Sequence, residues 1–130
     1  MKFQKLAPFA LAVALLLAAG LARAFDIAPY SAAALQQAQA AGTPVALHFH
    51  ADWCPTCKAQ ADAFRTLSTD PQLKPVMLLV ADYDKERDLK RTLGVRSQSV
   101  LIVFKGAKET ARSGGETTPE KLKAALATAL

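Results

Sequence analysis

Apolar runs alternate with amphipathic stretches along this chain, and their periods define the elements. Val45-Ala46-Leu47-His48-Phe49-His50 predicts a strand with Val45, Leu47 and Phe49 on one face. Its other face carries Ala46, His48 and His50. Val76-Met77-Leu78-Leu79-Val80 has no polar alternation, the pattern of a central strand covered on both sides. Residues 100–104 repeat that pattern. Lys105-Gly106 then gives a tight turn into residues 107–112, read as an antiparallel strand that Ser113-Gly114-Gly115 breaks.

The intervening stretches read as helices. Ser31 is placed to cap residues 32–41, and Gly42 closes them. Residues 54–67 predict a second helix with Ala61, Phe64 and Leu67 or Ser68 toward the core, and Pro55 in its first turn. Asp84 is placed to cap a charged helix over residues 85–93, which Gly94 ends. Thr118 and Pro119 start a last helix with one apolar stripe of Leu122, Ala125, Leu126 and Ala129. Residues 26–30 read as a lead-in. The order predicts an α/β domain: a mixed sheet of about four strands with helices on both faces.

Charge changes the picture mainly at the start. Lys2 and Lys5 precede an uncharged stretch, residues 6–22, and Ala22-Arg23-Ala24 has the small–x–small form of a cleavage site. Residues 1–24 are therefore read as a signal peptide and residues 25–130 as the domain, in the periplasm or secreted. The alternative is an uncleaved anchor, although 17 residues is at the short edge for a span. Three of the 16 basic residues lie in the leader, which leaves 13 against 11 acidic ones, a net of +2. Lys85, Arg87, Lys90 and Arg91 alternate with Glu86 and Asp88, so they read as a solvated face. No nucleic-acid partner and, after cleavage, no stable membrane insertion is expected.

The candidate chemistry lies in Trp53-Cys54-Pro55-Thr56-Cys57, which holds the chain's only two cysteines. As a structural staple, a loop this short contributes only about 2 kcal/mol and ties together nothing distant. A dithiol at this spacing is better suited to exchanging two electrons as a unit.

A strand, then Trp-Cys-x-x-Cys opening a helix, then βαββα, resembles the thioredoxin fold pattern. Phe49-His50-Ala51-Asp52-Trp53-Cys54-Pro55-Thr56-Cys57-Lys58 resembles the thioredoxin active-site segment, and Leu101-Ile102-Val103-Phe104-Lys105-Gly106 the family's hairpin. The resemblance implies a thioredoxin-like fold and a thiol–disulfide oxidoreductase acting on protein disulfides or thiols. The Cys54–Cys57 disulfide itself would be the redox group, with no other cofactor. Cys54, at the helix N-terminus, is expected to be the exposed nucleophile, and Cys57 the resolving thiol. Trp53 is expected to cover the site and border the substrate, or simply to pack. The Pro55-Thr56 pair resembles that of exported thioredoxin-like reductants. It implies a reducing direction and recharging by a membrane thiol-transfer protein.

Three positions depart from the family. Ser99 stands where most members carry a cis-proline, so Gln98–Ser99 is expected to be trans. Its hydroxyl is either a hydrogen-bond donor to the Cys54 thiolate or an inert loop group. His48 occupies the place of a buried Asp beneath the second cysteine; it is either a base for Cys57 or a strand histidine bonded to backbone or water. Val80 replaces a lysine of the next strand. Two other function classes stay open on sequence. One is a metal or iron–sulfur module using Cys54 and Cys57, with His48 and His50 or with a second chain. The other is a redox-inactive binding or chaperone domain on the same scaffold.

Overall fold

The computed structural model describes residues 25–130; the signal-peptide reading of residues 1–24 lies outside them. Five strands form one sheet: β1 (Asp26–Pro29), β2 (Val45–His50), β3 (Met77–Asp82), β4 (Val100–Lys105) and β5 (Lys108–Gly114). Their spatial order is β1-β3-β2-β4-β5. β1 and β2 flank β3 in parallel, whereas β4 runs antiparallel to both β2 and β5. The sheet is thus mixed, as its pattern predicted. The lead-in segment adds a fifth strand at the edge, with Ala28 opposite Leu79.

Four helices cover the sheet: α1 (Ala32–Ala40), α2 (Pro55–Leu67), α3 (Arg87–Leu93) and α4 (Pro119–Ala127). The alternation within β2 divides the core in two. Ala46 packs with Phe64 and Leu67 of α2 and with Leu122 and Leu126 of α4. Val45, Leu47 and Phe49 pack on the opposite face with Ala38 of α1, Val95, and Leu89 and Leu93 of α3. Burying both faces of β2, β3 and β4 is what lets these strands read as nearly continuous apolar runs.

Two helix readings need correction. The buried positions of α2 are Cys57, Gln60, Ala63, Phe64 and Leu67, whereas Ala61 and Ser68 are only half-buried. Counting in threes and fours from Cys57 reaches Gln60, Phe64 and Leu67; the expected face was rotated by about one residue. The charged helix starts later than expected, at Arg87, and Asp84 does not cap it. Asp82 at the end of β3 organises the turn instead, accepting from the N–H groups of Asp84 at 2.9 Å and Lys85 at 3.3 Å. Asp84 is thereby left free to bind elsewhere.

Candidate active site

β2, the central strand, ends at His50, and a short turn from its C-terminal end brings Cys54 to the start of α2. Cys54 is the N-cap: its sulfur accepts the Cys57 N–H at 3.1 Å, and Pro55 takes the first helical position, where an N–H would go unused. An N-cap sulfur faces the positive end of the helix dipole, which favours the thiolate. Burial pushes the Cys54 thiol up, but it is outweighed by hydrogen bonds from the Cys57 thiol, the Ser99 hydroxyl and the N–H groups of Cys57 and Thr56. The net result lies below the ordinary thiol value. Cys57 shifts the opposite way: burial raises it, and so does its neighbour Cys54. One turn of helix thus makes two unlike thiols from identical side chains.

The expectation of an exposed Cys54 needs correction. Cys54 is 2% exposed and Cys57 fully buried, in a small cluster with Ala51 against which Tyr83 packs. The accessible group is Trp53, at 60%. It borders the site instead of packing into the core, and its indole N–H donates to Asp84 Oδ2 at 2.9 Å. Pro55 is exposed beside it, and Thr56 is half-buried.

Ser99 immediately precedes β4 and reaches both sulfurs. Its Oγ lies 3.2 Å from Cys54 Sγ and 3.1 Å from Cys57 Sγ. Among the described residues no peptide bond is cis, in accord with a trans Gln98–Ser99 bond, and Ser99 is the one non-glycine residue with positive φ, at 64°. A serine there carries a backbone cost of order 1–3 kcal/mol unless its surroundings hold it. They do: its N–H donates to the Phe49 carbonyl at 2.9 Å, and its carbonyl accepts from Gly115 N–H at 2.9 Å. Gln60 Nε2 also donates to that carbonyl, at 2.9 Å.

His48 is buried on the α2 face, its ring 5.0 Å from that of Phe64 and edge-on to it. Its Nε2 bonds Gln60 Oε1 at 2.9 Å, and no hydrogen bond among the described residues joins it to Cys57. Burial drives its pKa down to about 4, the Gln60 bond opposing and His50 adding to the shift, so the imidazole is neutral at pH 7. Gln60 is the residue that the sequence reading missed. It is fully buried, and its amide also donates to the Glu116 carbonyl at 2.8 Å. The signal was available: a glutamine three residues after Cys57 lies on the same helix face, and it has to find partners there.

His50 Nε2 turns to Asp52 Oδ1 at 3.2 Å, and Val80 lies opposite His48 on β3. With His48 tied to Gln60 and both sulfurs to Ser99, a one-chain Cys2His2 site is not assembled. Among the described residues no group of three or more His, Cys, Asp or Glu side chains is placed to hold a metal ion.

Comparison with known proteins places this geometry. The thioredoxin family model matches residues 28–128. A crystal structure of Trxlp from Edwardsiella tarda EIB202 superposes with a TM-score of 0.74 at 37% identity, covering 78% of this chain and 98% of that one. A thioredoxin-like protein of Fusarium culmorum is 32% identical over 81 residues, 62% of this chain and 67% of its own length. The match to a protein disulfide-isomerase of Aspergillus niger is 36% identical over 62 residues, 48% of this chain but only 12% of that longer protein. From its family match, its fold and its Cys54/Cys57 pair, this chain belongs to the thioredoxin family and is a thiol–disulfide oxidoreductase.

Proposed function

We propose that the protein is an exported dithiol reductant that acts on protein disulfides, with Cys54 as attacking thiol and Cys57 as resolving thiol. The observation that carries the reading is the placement of the two thiols: Cys54 Sγ caps α2 and accepts the Cys57 N–H at 3.1 Å, whereas Cys57 is fully buried one turn in, which displaces them in opposite directions. The Cys54 thiolate attacks a substrate disulfide, forms a mixed disulfide and expels one substrate sulfur. Cys57 then attacks Cys54 Sγ, closing the Cys54–Cys57 disulfide and releasing the second substrate sulfur as a thiol. Two electrons pass from the dithiol to the substrate. Trp53, held by Asp84, offers an apolar surface beside the reacting sulfur, suited to a polypeptide substrate.

A reducing direction is supported by the groups around Cys54. Strong oxidants stabilise the thiolate, and with it the dithiol state, most effectively with nearby cations. Here the donors are neutral: a hydroxyl, a thiol and backbone N–H groups. Export rests on residues 1–24, and a membrane thiol-transfer protein would return the electrons. Equilibration of the Cys54–Cys57 pair with defined redox buffers tests the direction. A potential near −270 mV supports the reading, and one near −120 mV contradicts it. Insulin reduction with dithiothreitol tests the chemistry. Wild type is expected to accelerate it, and equal rates with Cys54→Ser would count against catalysis at this pair.

A further inference from the structure

The two-cysteine mechanism leaves one proton without a carrier. Cys57 must lose its proton to attack, yet burial and the neighbouring sulfur hold that proton in place. The Phe49 carbonyl, 3.9 Å from Cys57 Sγ, has no basicity to offer at neutral pH. His48 is committed: Gln60 donates both amide N–H bonds to the carbonyls of Ser99 and Glu116, so Gln60 Oε1 is an acceptor. His48 Nε2 therefore carries the hydrogen of their shared bond, and its remaining acceptor, Nδ1, makes no hydrogen bond to Cys57 among the described residues. What remains is Ser99 Oγ, 3.1 Å from Cys57 Sγ and 3.2 Å from Cys54 Sγ.

We propose that Ser99 is a catalytic residue of the resolving step, its hydroxyl relaying the Cys57 proton to the departing substrate sulfur. The proposal rests on the mechanism given under the proposed function. A hydroxyl can accept one proton while donating another, so no charge builds up on oxygen. As the Cys57–Cys54 bond forms, the Cys54–substrate bond breaks in line on the far side of Cys54; the Cys57 proton moves to Oγ, and the Ser99 proton passes through one bridging water to the leaving sulfur, which lies beyond direct reach of Oγ. The balance is Cys57–SH plus Cys54–S–S–R giving the Cys54–Cys57 disulfide plus R–SH, with Ser99 unchanged and no external base. The left-handed backbone of Ser99 aims Oγ between the sulfurs. Gln60, anchored by His48, is a positioning residue that holds the Ser99 carbonyl in that conformation.

The test separates the relay from the fold by its pH dependence. Reduced protein is mixed with glutathione disulfide, quenched with acid at millisecond intervals and weighed by mass spectrometry, so that the Cys54–glutathione adduct is counted as it forms and decays. A relayed proton makes adduct decay nearly independent of pH between 6 and 8. In Ser99→Gly only preformed Cys57 thiolate reacts, so decay should rise about tenfold per pH unit and be on the order of 100-fold slower at pH 6. Glycine suits the left-handed backbone, so the variant stays folded, and its thermal melt checks this.

Of the titratable groups nearby, Tyr83 packs against the pair, His48 and the backbone of Glu116 meet Gln60, and His50 bonds Asp52. All of them are present in both proteins, so they cancel in the comparison. Decay with the same rate and slope in both proteins would overturn the Ser99 role while leaving the cysteine mechanism intact. Absence in both proteins of the Cys54 adduct and of the Cys54–Cys57 disulfide would overturn both.

Discussion

Ser99 solves with a left-handed serine the corner that most of the family turns with a cis-proline. Its N–H is used, donating to the Phe49 carbonyl, and its φ of 64° is far from what a proline ring allows. Restoring the family residue should therefore harm this protein. Ser99→Pro is expected to lower unfolding free energy by more than about 1 kcal/mol in a urea titration, and a gain would contradict the backbone account.

His48 gives a second residue-level prediction. Its folded-state pKa of about 4 lies below the unfolded value of 6.5, so between these values the unfolded chain binds the extra proton. The contribution is fully present above pH 6.5 and is lost as pH falls toward 4, by roughly 3 kcal/mol. Urea midpoints should fall over that window, and much less so in His48→Leu. Both residues stood out in the sequence as departures from a pattern. Gln60 did not, because Ala61 suited an apolar helix face better than a glutamine does.

At the scale of elements, the short apolar runs were legible because β2, β3 and β4 are covered on both faces and tolerate few polar residues. β1 was not, since four residues ending in proline at a sheet edge carry little periodicity. The start of α3 at Arg87 differs from the pattern because an Asp followed by charged residues fits a turn equally well at Asp82 or Asp84, and the local turn uses Asp82. That outcome leaves Asp84 to accept from the Trp53 indole. Trp53 is the single tryptophan of the chain, so its fluorescence reports on this contact alone. Asp84→Ala should lower its anisotropy and slow reduction of insulin, with less than about 1 kcal/mol of stability lost. Unchanged anisotropy would mean that Asp84 does not hold the ring.

The whole molecule brings its chemistry together at one place: the C-terminal end of β2, the start of α2 and the entry to β4. The Cys-x-x-Cys spacing made the cysteine pair legible in the sequence, because one turn of helix separates the sulfurs regardless of what surrounds them. The third partner could not be identified by spacing. Ser99 reaches both sulfurs only because β4 pairs antiparallel with β2 and brings a residue 42 positions beyond Cys57 back to it. The same assembly covers both cysteines.

The reading as a whole stands on the two thiols being unlike. Iodoacetamide labelling of the reduced, folded protein across pH 5 to 10, with each cysteine followed by mass spectrometry, measures that difference directly. Cys54 is predicted to react at neutral pH with an apparent pKa below the ordinary thiol value, while Cys57 stays unlabelled until the protein unfolds. Labelling of Cys57 before Cys54, or silence of Cys54 at pH 7, would contradict the account.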